Sequence, residues 1–191
     1  ARDEPDSGIV KAAMYGMSIP GVIPMWSGEG NEPTPELFSR ADMESLLKGE
    51  TFYTWQRGIP ELREALARYH ARNFGRDFSP ENFFVMSGGM QAPQTVVQMV
   101  AGDGDEIIIP TPAWPNYAST LRPQNARPVG GPTAFRRGRW LLDLDRLFDA
   151  ITPRTKAISL NSPSNPVGWT ATLDELIAVR DECRKRGIWI F

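Results

Sequence analysis

Two adjacent glycines stand where a predicted strand meets a predicted helix, in the segment Ser87-Gly88-Gly89-Met90-Gln91. Glycine lets the backbone approach a ligand closely, and the free amides at the start of a helix point outward and favour an anion. The helix dipole alone contributes about 0.3–1 kcal/mol, so several amides must act together. The segment lacks the lysine of a Walker loop and the spacing of a dinucleotide fingerprint. Phosphate binding and a ligand-free turn are equally good interpretations of this segment alone.

Three other segments carry side chains that could contact a ligand. Trp114, within Pro110–Tyr117, follows a strand at the edge where ligands of parallel sheets bind, and its ring could stack on a planar cofactor. Taken alone, a core or interface tryptophan is the better interpretation. Asn161–Gly168 combines two X-Pro bonds with a glycine, which indicates a rigid loop whose asparagines could donate to a developing negative charge. Tyr53, ahead of Gly58–Glu64, offers a hydroxyl at a loop tip, although a surface tyrosine fits equally.

The elements that must position these residues alternate between strand and helix. Prolines and glycines from Pro20 to Pro35 predict an extended arm over residues 1–35. A helix is predicted from Pro35 or Glu36 to Lys48, with Thr34 as its N-cap. A further helix runs from Pro60 to a stop at Gly75. Later strands are predicted at 83–86, 107–109, 127–129, 157–160 and 188–191, and later helices at 90–101, 114–121, 144–151 and 173–186. This order predicts an α/β fold, a three-layer α/β/α arrangement with a mostly parallel sheet.

Composition excludes several classes of function. The chain has 191 residues and a formal net charge of −2, which gives no electrostatic reason to expect a nucleic acid or an anionic membrane as partner. Cys183 is the single cysteine, so a thiolate metal cluster and an intramolecular disulfide are excluded, and we expect no metal and a reducing cytoplasm. No signal-peptide core is visible. Because the chain stops inside an apolar strand, we expect it to be part of a longer polypeptide.

Together and in this order, the segments resemble the pyridoxal-phosphate (PLP)-dependent class I and II aminotransferases of fold type I, which are aspartate aminotransferase-like. Asn161–Gly168 is similar to the family motif Asn-x-Pro-x-Asn-Pro-x-Gly. The resemblance implies a transaminase that moves an amino group between an amino acid and a 2-oxo acid. It also implies that residues 1–50 are an N-terminal arm and first helix, part of a small domain. Residues 51–191 would be the PLP-binding large domain, truncated at its C-terminal end.

The resemblance assigns the cofactor site residue by residue. The amides of Gly89 and Met90 would hold the cofactor phosphate, with Gly88 permitting the turn. Trp114 would stack on the pyridine ring, and Asn165 would hydrogen-bond the ring's phenolic oxygen. Met90 departs from the family, where lysine or threonine is frequent, which removes a side-chain contact and leaves the amide.

Substrate and partner contacts are also implied by the resemblance. Gly28 would lie over the substrate, which Trp114 and Asn165 would contact as well. Tyr53 would reach the phosphate of a neighbouring subunit, which implies a homodimer with shared sites. Cis peptide bonds are expected at Thr111–Pro112 and Asn165–Pro166.

The residue that carries the family's chemistry, the Schiff-base lysine, is expected beyond Phe191. We therefore assign no catalytic residue within this chain and expect the 191 residues alone to be inactive. Three alternatives remain open. The intact protein could be another fold-type-I PLP enzyme, such as a C–S lyase or decarboxylase, the aminotransferase-like sensor domain of a transcription regulator, or a noncatalytic domain that packs against a partner.

Overall fold

The computed structural model describes residues 8–191, which form two compact units, one ending at Thr54 and one spanning Trp55–Phe191. The first unit contains α1 (Gly8–Met17) and α2 (Glu36–Leu47). The predicted extended arm over 1–35 is therefore wrong for the α1 residues, and its first part, residues 1–7, lies outside the described residues. The physical reason is local, since the helix-breaking prolines begin only at Pro20 and α1 contains good helix formers.

The second helix follows its prediction apart from its cap. It ends one residue before the predicted Lys48, which is the C-cap. Its N-cap is Pro35 instead of the predicted Thr34, and no side chain caps the first turn. Proline fixes a backbone angle suited to a helix start, so the helix begins directly after it.

The second unit is an α/β structure built on a five-stranded sheet of order β3-β2-β1-β4-β5. All neighbouring strands are parallel except β2 and β3, which form an antiparallel hairpin. The predicted α/β class with a mostly parallel sheet is confirmed. In chain order the elements are α3 (Pro60–Phe74), a 3₁₀ turn (Pro80–Asn82), α4 (Gln91–Val100), β1 (Glu106–Thr111), α5 (Pro115–Ser119), a 3₁₀ turn (Arg122–Gln124), β2 (Arg127–Arg136), β3 (Arg139–Leu142), α6 (Leu144–Asp149), β4 (Thr155–Ile158), α7 (Leu173–Arg186) and β5 (Trp189–Ile190).

Alternate residues of β1 face two separate cores. Ile107 and Ile109 pack in one cluster with Val97 of α4. Ile108 packs in a second cluster with Leu147 of α6 and Val179 of α7. Because successive side chains of a strand point to opposite faces, helices cover both faces of the sheet. This gives the predicted three layers.

Two strand predictions differ from the structure. Residues 83–86 form no strand, because their one recorded backbone hydrogen bond to a distant segment joins the Val85 amide to the Arg57 carbonyl. The strand predicted at 127–129 continues through Gly130–Gly131 to Arg136 and turns into the unpredicted β3. Gly130 and Gly131 pair in register with Ile109 and Pro110 of β1, so the two glycines lie within the strand instead of ending it.

A buried carboxylate ties together the start of β1 and its neighbours. Glu106 is 3% exposed, and its side chain accepts hydrogen bonds from the Thr152 hydroxyl and from the guanidinium groups of Arg127 and Arg154. The Thr152 hydrogen bond is the largest influence on the Glu106 pKa, and with the two arginines it outweighs burial and lowers that pKa below its ordinary value of 4.5. These contacts stabilise the charged form at the sheet edge opposite the carboxyl ends of the strands.

We expect Glu106→Gln to lower the free energy of unfolding at neutral pH by about 1–3 kcal/mol, because hydrogen bonds to a charged group are lost. The folded-state pKa of Glu106 lies below its unfolded value, so the wild type keeps this contribution above about pH 4.5 and loses it as the pH falls through the folded pKa. Urea unfolding of the full-length protein from pH 7 to pH 3 measures this. The free energy of unfolding should fall less on acidification in the variant than in the wild type. Parallel pH profiles for the two proteins would contradict the stabilising role of the charged Glu106.

Candidate functional site

Two predicted site segments leave the sheet at the same edge. The segment with Trp114 follows β1, and the segment with Asn165 follows β4. The two strands are parallel neighbours in which Ile108 pairs with Ile158. Because carboxyl ends of parallel strands meet at one edge, both segments emerge side by side.

The two segments enclose a narrow cleft. Its volume is about 10 Å³, enough for one water-sized sphere. A pyridine ring is far larger, so a ring bound here must lie at the mouth of the cleft. The cleft is lined by Ile109, Pro110, Pro112, Ala113, Tyr117, Thr133, Ser159, Asn161, Ser164, Asn165 and Trp169.

Hydrogen bonds donated by backbone amides hold the predicted re-entrant loop closed. The Asn165 amide donates to Asn161 Oδ1 at 2.9 Å. The Gly168 amide donates to the Ser164 carbonyl, and the Ser164 amide to the Trp169 carbonyl, both at 2.8 Å. Within the described residues, no hydrogen bond is recorded for the Asn165 carboxamide, and the residue is exposed. The loop thus presents a free donor and acceptor beside the cleft.

Proline isomers in these segments match their prediction. The peptide bonds Thr111–Pro112 and Asn165–Pro166 are both cis, as expected. Ser162–Pro163 is a further cis bond that was not predicted.

One polar atom in the cleft lacks a partner. The Ser164 hydroxyl oxygen is buried and makes no hydrogen bond within the described residues. Buried hydroxyls are nearly always satisfied, because leaving one unpaired costs about 1–3 kcal/mol. A polar group bound at this cleft would find a donor and acceptor already in place.

Trp114 lies directly before α5 and is half-buried. Its ring meets Tyr117 edge to face, with centroids 5.9 Å apart and planes at 86°. Tyr117 itself packs against the core cluster around Ile107, so the edge contact restrains the indole. A restrained flat ring at the carboxyl end of β1 fits stacking on a planar cofactor.

The glycine turn presents unpaired amides. Gly88, Gly89 and Met90 donate no recorded backbone hydrogen bond within the described residues. A Cβ built on Gly88 or Gly89 would meet nothing within 4 Å. Neither glycine has a positive φ. The chain's own packing and backbone therefore do not require glycine at either position, which fits a turn kept open for a ligand.

Two predicted site residues belong to the first unit. Tyr53 is fully exposed there, at 106% of its reference accessibility. Gly28 is exposed, and a Cβ added to it would meet nothing within 4 Å. Their predicted roles, and those of the residues in the second unit, stay predictions.

Sequence reasoning missed the contacts that join residues 57–63 to Glu81 and Val85, just ahead of the glycine turn. Arg57 and Arg63 both form ion pairs with Glu81, at 2.6 and 2.9 Å. A Cβ on Gly58 would lie 2.4 Å from Val85 Cγ2. These residues are distant in sequence, and the only local signal was the glycine ahead of Pro60.

Comparisons with known proteins agree on one family. The family model described as aminotransferase class I and II matches residues 26–191. The chain is 36% identical over 173 residues to the aspartate aminotransferase of Geobacillus stearothermophilus, covering 88% of this chain and 43% of that protein. Among solved structures, aspartate aminotransferase from Thermus thermophilus with maleate matches with a TM-score of 0.89 and 32% identity, covering 97% of this chain and 50% of that one.

A second structural relative acts on a different substrate. N-succinyldiaminopimelate aminotransferase from Mycobacterium tuberculosis matches with a TM-score of 0.81 and 28% identity, covering 86% of this chain and 43% of that one. The chain therefore spans half or less of the length of these relatives. Within residues 8–191, no helix has the length and apolar character needed to cross a membrane.

Proposed function

Because the chain belongs to the class I and II aminotransferase family, we propose that the protein containing it binds PLP and transfers an amino group between an amino acid and a 2-oxo acid. The main observation that supports this proposal is the cleft, which is lined by the exposed Asn165 and by residues of the segment that contains Trp114. The unpaired amides of the glycine turn, which favour an anion, and the restrained indole of Trp114 also support the binding of PLP.

The residues of the second unit divide the binding of PLP between them. The amides of Gly89 and Met90 hold the phosphate. The turn itself does not need glycine at position 88, so the role of Gly88 is to leave space for the phosphate to approach the backbone. Trp114 stacks on the ring and keeps water from that face. The Asn165 carboxamide donates to the phenolic oxygen and so fixes the ring's rotation. When bound, PLP supplies an electron sink for the substrate carbanion.

Substrate and subunit contacts extend the proposal to the first unit. Gly28 lies over the substrate, and Trp114 and Asn165 contact it. The fully exposed Tyr53 reaches the phosphate of a second subunit in a homodimer, and its accessibility supports this role. Residues 1–50 form part of the small domain and residues 51–191 part of the PLP-binding domain, in a cytoplasmic enzyme.

Aspartate is the first amino donor to test, since relatives at 36% and 40% identity are named for aspartate and for aspartate/prephenate. The relative that uses N-succinyldiaminopimelate means that a panel of donors is needed. No residue of this chain is assigned to bind the substrate carboxylate, so the amino donor has to be identified by the experiment.

The full-length protein is expected to take up PLP and to transaminate at least one donor with 2-oxoglutarate. Asn165→Ala should lower kcat/KM by roughly 10- to 100-fold, because a hydrogen bond to a charged oxygen is lost. A coupled assay for the keto-acid product measures turnover, and equilibrium dialysis measures PLP.

The matched control is Asn73→Ala, which removes an exposed asparagine whose side chain donates to the Tyr69 carbonyl on α3. It should leave kcat/KM unchanged. PLP uptake with elimination or decarboxylation products, and no transamination, would favour the other PLP chemistries. PLP uptake with no product from any donor would favour a sensor, and absence of PLP uptake would refute the proposal.

A further inference from the structure

Gln91 folds its side chain back over the glycine turn. Gln91 Oε1 accepts a hydrogen bond from the Ser87 amide at 3.1 Å and another from the Ser87 hydroxyl at 2.8 Å. The Gln91 amide in turn donates to the Gly88 carbonyl at 3.0 Å. Residues 87–91 are thus closed into a ring by three hydrogen bonds that all involve Gln91.

The ring of hydrogen bonds leaves the backbone amides of this segment in two groups, one paired and one unpaired. The Ser87 amide is used internally, whereas those of Gly88, Gly89 and Met90 have no recorded acceptor within the described part of the chain. Three consecutive unpaired amides at the start of the ten-residue helix α4 match the needs of a phosphate. Since the acceptor is a carboxamide, the ring is closed without placing a negative charge beside that anion.

We infer that Gln91 is a positioning residue that preorganises the turn for the cofactor phosphate, with Ser87 as its partner. The inference rests on the proposed binding of PLP. Gln91 contacts neither the phosphate nor the substrate in this scheme. It acts by holding the 88–90 amides in a single orientation before the ligand arrives, which lowers the ordering cost of binding.

The test compares PLP with pyridoxal, which has the same ring and no phosphate. In the full-length protein, Gln91→Met keeps the length of the side chain and removes the acceptor. It should weaken PLP binding by roughly 5- to 50-fold, as expected for losing one to two hydrogen bonds. Pyridoxal binding should be unchanged. Equilibrium dialysis with each ligand gives both dissociation constants.

Ser87 variants provide a graded control in case the methionine disturbs the helix. Ser87→Ala removes the hydroxyl bond and keeps the amide bond, so it should weaken PLP binding less than Gln91→Met does. Ser87→Thr retains the hydroxyl and should bind PLP as tightly as the wild type does. Gln91→Glu keeps the acceptor and adds a charge, so its loss of PLP affinity should shrink as salt screens the repulsion, unlike that of Gln91→Met.

The measurement on the wild type distinguishes failure of the proposed function from failure of the inference about Gln91. If the wild type binds PLP no better than pyridoxal, the phosphate site and the proposed function fail together. If the wild type prefers PLP but Gln91→Met stays within twofold of it, the positioning role of Gln91 alone is refuted. Equal losses for PLP and pyridoxal would also refute that role, because they would reflect general damage to the site.

Discussion

Gly58→Ala is expected to lower the free energy of unfolding of the full-length protein by about 2–5 kcal/mol, through backbone strain and overpacking together. Gly58 has a φ of 99°, in a region that side-chain-bearing residues rarely adopt. A Cβ there would lie 2.4 Å from Val85 Cγ2 and 2.6 Å from Val85 Cβ. Rotating the Val85 side chain would not relieve the contact with Val85 Cβ, because that atom is fixed by a backbone whose amide donates to the Arg57 carbonyl at 3.0 Å.

The same substitution should weaken PLP binding. Val85 precedes the Ser87–Met90 turn by two residues, so a backbone shift at Val85 is transmitted to the amides proposed to hold the phosphate. Urea unfolding measures the stability loss, and equilibrium dialysis measures PLP.

Gly75→Ala is the matched control, because Gly75 also has a positive φ, 60°, and its added Cβ would meet nothing within 4 Å. It should cost about 1 kcal/mol, the strain of the left-handed conformation alone. Adding Val85→Ala to the Gly58 variant should restore only part of the loss, since the Val85 Cβ remains in place. Equal losses for the Gly58 and Gly75 variants would show that the contact with Val85 is unimportant.

Local sequence signals predicted most of the second unit. The run Ile107–Ile109 identified β1, because consecutive β-branched apolar residues favour a strand covered on both faces. The helix predicted at 173–186 is α7. Thr172 before it and Gly187 after it are residue types typical of helix ends, and the structure shows a capping box with Glu175 at its start and a left-handed Gly187 at its end. These signals act within a few residues, so they are visible without the fold.

The predictions that failed concern segments whose structure depends on distant partners or on unusual turns. Residues 83–86 have the composition of a strand, but a strand requires a neighbouring strand with which to pair. The one recorded backbone hydrogen bond from these residues to a distant segment is from the Val85 amide to the Arg57 carbonyl. The β2–β3 hairpin was missed because its turn places Arg137 at φ 51° and Gly138 at φ 78°, where asparagine or aspartate usually precedes the glycine.

The candidate site divides in the same way. The re-entrant loop around Asn165 was predicted from its local density of proline and glycine, and the cis bond at Asn165–Pro166 was expected from the family resemblance. The contacts of Gly58 with Val85 and of Arg57 and Arg63 with Glu81 are tertiary, and they were not predicted. The closing of the turn by Gln91 is local, but a single glutamine four residues after a serine is too common a pattern to identify it.

Trp169→Ala is expected to be the most damaging change near Asn165. Trp169 is 4% exposed, packs in the core cluster with Ile108 and Val179, and lines the cleft. Truncating a buried tryptophan costs about 3–5 kcal/mol through lost burial and a residual cavity. Its carbonyl also accepts the Ser164 amide at 2.8 Å, so a loosened Trp169 frees the loop that holds Asn165.

The expected result is therefore a joint loss of stability and of PLP affinity in the full-length protein. Trp169→Phe retains most of the apolar surface and should cost less than half as much as the alanine variant in urea unfolding. Thr170→Ala, at the exposed neighbouring position with only a 3.5 Å hydrogen bond to the Gly168 carbonyl, should stay within about 0.5 kcal/mol of wild type. If Trp169→Ala unfolds like wild type yet loses PLP, the indole contributes to the site and not to the core. If it loses stability while PLP binding and kcat are unchanged, the orientation of Asn165 does not depend on Trp169, and the proposed link between Trp169 and Asn165 is wrong.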